Sequence, residues 1–103
     1  MRFCPWYPLE HAAAHAPAGE GVLQLRIADG LIDYPRGKSA MVAYALAGDV
    51  RGEAIALAAR HAGRGLLCRH LEAEGGERID AAAAYARLLG EFERRFGSAP
   101  RVE

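Results

Sequence analysis

Five side chains have the chemistry of borderline metal ligands: Cys4, His11, His15, Cys68 and His70. His11 and His15 stand four residues apart, a spacing that puts two imidazoles on one helical face, as a zinc site can use. No Cys-x-x-Cys pair accompanies them, and the contributing segments lie far apart along the chain. Surface histidines and a buried free cysteine account for the same residues, so no metal site is expected.

A second set is cationic. Arg36-Gly37-Lys38-Ser39 evokes a phosphate-binding loop, but such a loop needs a glycine five residues before its Gly-Lys pair, and Ile32 stands there. Arg36 and Lys38, with the amides around them, are candidates for a weak anion contact, set against a plain solvated loop. Trp6 and Tyr7 beside Phe3 offer the aromatic faces on which single-stranded nucleic acid stacks. Arg2 is the only cation interleaved with them, which favours a lid packed over the domain. Arg87, Arg94 and Arg95 could touch phosphates, yet Glu91 and Glu93 neutralise that stretch.

Composition narrows the classes. With 51% hydrophobic and 25% charged residues over 103 positions, the chain is expected to be one folded domain with a single core. The formal net charge is zero, so no global field draws it to nucleic acid or an anionic membrane. Lys38 is the only lysine, and the arginine bias reads as genome composition. No apolar run approaches a membrane span and no signal peptide is evident. The expectation is therefore a cytoplasmic protein with free thiols, without a membrane role, as monomer or homodimer, the latter through Phe3, Trp6 and Tyr7.

The elements that must position these groups follow from periodicity. Pro5 and Pro8 argue against a regular strand at the start, so residues 1–17 are expected to be an extension packed on the domain, with a short helix over 9–16. Leu23, Leu25 and Ile27 alternate with Val22, Gln24 and Arg26, which predicts a half-buried strand. Asp29-Gly30 signals a turn, after which 31–34 is expected to pair back on that strand. Met41 to Leu46 reads as a central strand. Asp49 is expected to cap a helix over 50–62, and 66–73 to form another strand. Asp80 caps a last helix, where Tyr85, Leu88, Leu89, Phe92 and Phe96 form an apolar stripe that Gly97 ends. Glu91 and Arg95 are spaced to pair on its solvent side. The fold class is α/β: a small, three-stranded, mainly antiparallel sheet flanked by helices, with the domain over 18–97 and a tail over 98–103.

This order resembles the GIY-YIG nuclease superfamily. Gly21-Val22-Leu23 is similar to its first strand motif, Tyr44-Ala45-Leu46 to its second, and Asp49-Val50-Arg51-Gly52-Glu53 to its helix opening. The insert around Tyr34-Pro35-Arg36-Gly37-Lys38-Ser39 resembles an extended hairpin loop, and Ala84-Tyr85-Ala86-Arg87-Leu88-Leu89 with Phe92 the last helix. The resemblance implies a shared polar site built from two tyrosines, an arginine and a metal-binding glutamate. Here Leu23 stands at the first tyrosine position, Glu53 at the arginine position and Tyr85 at the glutamate position, while Tyr44 matches the second tyrosine. A carboxylate where developing negative charge must be stabilised opposes such catalysis, and a phenol cannot hold a hard cation. The resemblance thus implies a catalytically degenerate binding or interaction module. The alternatives are a magnesium-dependent endonuclease acting on DNA through Tyr44 and Arg51, with a displaced carboxylate such as Glu53 or Glu91, and a nucleic-acid binder that does not cleave. Only the endonuclease would need a cofactor; the expected partners are nucleic acid or another protein.

Overall fold

A computed structural model of the chain describes residues 1–102. In chain order the elements are β1 (Arg2–Phe3), β2 (Tyr7–Pro8), a 3-10 turn (Leu9–His11) and α1 (Ala12–His15). Then come β3 (Gly21–Ile27), β4 (Ile32–Tyr34), β5 (Gly37–Ser39), β6 (Met41–Ala47), α2 (Val50–Arg60), β7 (Leu66–Glu72) and α3 (Ala81–Phe96). The class is α/β with antiparallel pairing throughout.

β3 is the middle strand, with β6 on one side and β7 on the other. Beyond β7 the sheet continues, because β1 and β2 both pair with its outer edge, making five strands where three are expected. The prolines do not prevent this pairing. Pro8 lies on an edge strand and Pro5 in the segment between β1 and β2, so neither missing N–H breaks a central ladder bond.

The sheet separates two layers. Gly21 faces α2 so closely that a Cβ there would lie 2.7 Å from Val50 Cγ2. Leu23 and Leu25 share its side by alternation and are fully buried. Val22, on the other side, packs with Ala81 and Ala84 of α3. Register carries this division across the sheet: Cys68 and His70 stand opposite Leu25 and Leu23, while Arg69 and Tyr44 stand opposite Gln24.

The outer edge contains an irregularity. Phe3 pairs with Leu71 and Tyr7 with Cys68, so three residues (Cys4, Pro5, Trp6) oppose two (Arg69, His70). One extra residue of this kind is a β-bulge in effect, and it reverses the alternation of side chains beyond it. Cys4 and Tyr7, which a regular strand would place on opposite faces, reach the same face. So do Phe3 and Trp6 on the other.

The insert between β3 and β6 departs from expectation. Residues 32–34 do not pair back on β3; they pair with 37–39 as a separate two-stranded ribbon. The ribbon closes over the end of α3. Tyr34 meets Phe92 edge-on at 5.0 Å, and the Arg36 N–H donates to Phe96 O at 2.9 Å. The tail joins it: the Arg101 N–H donates to the Tyr34 hydroxyl at 3.2 Å.

α3 begins as anticipated, with Asp80 accepting from the Ala83 N–H, and ends at Gly97 with φ +86°. Its surface ion pair is Arg87–Glu91 at 3.6 Å, not the anticipated Glu91–Arg95. Asp49 precedes α2, but its carboxylate accepts from Gly19 rather than capping the helix. The expected short helix near the start splits into the 3-10 turn and α1. Among the described residues no helix is long and apolar enough to cross a membrane.

Candidate functional site

The bulge builds a site on each face of the sheet edge. On the α2 side its centre is His70, a strand residue only 8% exposed. Two groups converge on His70 Nδ1: the Tyr7 hydroxyl at 3.1 Å and Cys4 Sγ at 3.3 Å. Backbone pairing fixes the cysteine, since the Cys4 N–H donates to His70 O at 3.0 Å and the His70 N–H donates to Cys4 Sγ at 3.3 Å. Cys68 Sγ donates to the Tyr7 hydroxyl at 3.7 Å, and His15 stacks on the Tyr7 ring at 4.9 Å. Glu72 Oε1 lies 4.0 Å from His70 Nε2. A cleft of about 460 Å³ opens above, lined by Cys4, Trp6, Tyr7, His15, His70 and Glu72 among others.

Burial holds this group in its neutral forms. It raises the Cys4 thiol, partly opposed by the His70 amide, and pushes Cys68 up to about 11. It drives the Tyr7 phenol far above its ordinary value, with the two thiols adding to the effect. It lowers the His70 imidazole, with Glu72 opposing. Both groups beside Nδ1 are thus kept protonated, and Nε2 is the ring nitrogen turned toward Glu72. A cysteine kept as a thiol is not an activated nucleophile, so Cys–His acyl chemistry is disfavoured. The cluster's distinctive property is its donor set: one atom each from Cys4, His70 and Glu72 lie within 4.8 Å of one another.

On the α3 side the centre is Arg69. Its guanidinium lies 4.5 Å from the Phe3 ring centre and 4.4 Å from that of Trp6, and its Nε donates to Gln24 Oε1 at 2.7 Å. Arg26 approaches the same Trp6 ring at 5.4 Å. Among the described residues neither arginine has a carboxylate within salt-bridge distance. A groove of about 410 Å³ runs past Arg2, Phe3, Trp6 and Arg69, with Glu72 at its border.

The residues singled out from the sequence are dispersed. Leu23 is in the core on the α2 side, whereas Tyr44 is on the α3 side, edge-on to Phe92 at 5.7 Å. Burial raises the Tyr44 phenol, with Arg69 opposing. Arg51 opens α2, its Nε donating to Ala16 O at 2.7 Å and its amide to Pro17 O. Glu53 follows on that helix, half-buried. Tyr85 packs beside the Val22, Ala81 and Ala84 cluster, about two turns and roughly 10 Å before Phe92. No single cleft gathers Tyr44, Arg51, Glu53 and Tyr85.

Arg36 and Lys38 have structural partners. Arg36 donates to Glu93 O and Arg94 O at the end of α3, and Lys38 pairs with Asp33 at 3.4 Å. Of the five side chains considered for zinc, Cys4 and His70 meet. His15 borders their cleft, and Cys68 contacts Tyr7 behind them. His11 lies outside, beside Glu10. Glu72 did not stand out, nor did Tyr7 as a partner of His70, nor Arg69 as the partner of Phe3 and Trp6. The one available signal was alternation along 66–72, which separates Arg69 from His70. In comparison with known proteins, no family model, no curated protein and no solved structure matches this chain.

Proposed function

We propose that the chain is a nucleic-acid-binding module that does not cleave, built on a GIY-YIG-like scaffold without its catalytic groups. It takes a single-stranded segment along the groove formed by Arg2, Phe3, Trp6 and Arg69. The observation that carries this reading is Arg69, set over two aromatic rings with no carboxylate within salt-bridge distance among the described residues. Arg26 is placed against the same tryptophan. Aromatic faces recognise bases whatever their identity, and arginines add cation–π and phosphate attraction. The hairpin, helix, strand and helix of β3–β6, α2, β7 and α3 support the scaffold reading. The placement of Leu23 and Tyr44 on opposite faces favours binding over cleavage.

Fluorescence anisotropy with a labelled oligothymidylate tests the reading. Three arginines meeting phosphate predict that log K falls with log salt at a slope of about −2. Trp6→Ala and Arg69→Ala should each weaken binding at least fivefold, given stacking worth about 1–3 kcal/mol per base, while Trp6→Phe retains most of it. No binding at low salt, or indifference to both alanine variants, removes the proposal. Cleavage with magnesium or manganese that Tyr44→Phe abolishes would replace it with the endonuclease.

A further inference from the structure

We infer that Cys4, His70 and Glu72 form a binding site for a zinc-class divalent metal, with a water in the fourth position facing the cleft. This site is on the other sheet face from the arginine groove, and its argument does not depend on nucleic-acid binding.

The donor set comes first. A thiolate, an imidazole and a carboxylate together select zinc and its neighbours over magnesium or calcium, which prefer oxygen alone. Geometry comes second. In a tetrahedral zinc site with Zn–N near 2.0 Å and Zn–S near 2.3 Å, the two donors lie roughly 3.5 Å apart. Cys4 Sγ and His70 Nδ1 are already 3.3 Å apart, one donor atom from each of the three residues lies within 4.8 Å of the others, and Glu72 Oε1 stands 4.0 Å from His70 Nε2. Glu72, at the end of β7, has a side chain 46% exposed and can pivot to close that remaining distance.

Preorganisation comes third. His70 belongs to β7, and Cys4, in the bulge just after β1, is tied to it through its backbone N–H donating to His70 O at 3.0 Å, so backbone pairing fixes their spacing. The His70 amide donates to Cys4 Sγ, an arrangement that stabilises negative charge on a metal-bound thiolate. The Tyr7 hydroxyl stands beside the same ring nitrogen and can hydrogen-bond a metal-bound water. Three protein ligands below an open cleft are the pattern of a site that retains an exchangeable position.

The test is direct titration of the reduced, chelator-treated full chain with Zn²⁺ by calorimetry and with Co²⁺ by absorption. We expect one metal per chain and a near-ultraviolet thiolate-to-cobalt band, with the strong visible bands of four-coordination. Cys4→Ser should abolish the thiolate band, and Glu72→Gln should weaken Zn²⁺ binding at least tenfold. His11→Ala should leave affinity and stoichiometry unchanged. Glu72→Gln changes only a half-exposed strand end, so it separates ligand loss from misfolding, with circular dichroism as the check. Absence of a thiolate band, its survival in Cys4→Ser, or unchanged affinity in Glu72→Gln would each overturn the site.

Discussion

Cys4 and Cys68 illustrate what burial does to a reactive group. Both are free and buried. The nucleophile in alkylation is the thiolate, and a thiol held at about 11 is ionised to roughly one part in a thousand at pH 8. In the metal-free protein, Cys68 should therefore react with iodoacetamide at least a hundredfold more slowly than in denaturant. Mass spectrometry of the labelled chain measures this. Rapid native labelling would show that the edge around β7 opens readily. The same desolvation favours the neutral form of His70, which stands beside a thiol and a phenol that burial keeps protonated. None of this follows from residue type. It follows from Cys4 and Tyr7 being packed against one imidazole, with Cys68 behind the phenol.

Among the elements, α3 and the insert stabilise each other. The last carbonyls of a helix lack internal partners, and Arg36 supplies hydrogens to Glu93 O and Arg94 O. Gly97 takes φ +86°, and a Cβ there would come within 3.0 Å of Pro35. Arg36→Ala should cost about 1 kcal/mol in chemical denaturation, and Gly97→Ala about 1–2 kcal/mol. A cost near zero for both would mean that the ribbon and α3 are independent. The bulge between β1 and β2 makes a sharper prediction. Deleting Pro5 restores two residues against two, and because it also shortens the spacing from Cys4 to Tyr7 and from Phe3 to Trp6 to two, each pair stays on its shared face. Far-ultraviolet circular dichroism should then change little. Trp6 fluorescence should likewise be kept, since Trp6 then stands opposite Arg69, whereas a shifted spectrum would show that the edge pairs with β7 in another register.

For the molecule as a whole, the first eight residues complete the sheet rather than decorate it. They supply both strands outside β7, together with Cys4, Tyr7, Phe3 and Trp6. Removing residues 1–8 exposes the hydrogen-bonding edge of β7, and unpaired edges associate. The truncated chain should melt lower and form concentration-dependent oligomers, seen by light scattering. A stable monomer would show that the chain from residue 9 onward is self-sufficient.

Local pattern was enough for much of the scaffold. The alternation of Leu23, Leu25 and Ile27 marks β3, and the stripe ending in Phe92 and Phe96, between Asp80 and Gly97, marks α3. Strand pairing, helix periodicity and capping depend on neighbours a few residues away, so the sequence carries them openly. The sites depend on a different quantity. Whether Cys4 shares a face with Tyr7 turns on how many residues of the edge strand oppose Arg69 and His70, more than sixty positions along the chain. That count exists only once β1 and β2 have paired with β7. Tertiary register, not composition or local spacing, decided that a histidine would gather a thiol, a phenol and a carboxylate on one face. It also decided that an arginine would stand over two rings on the other.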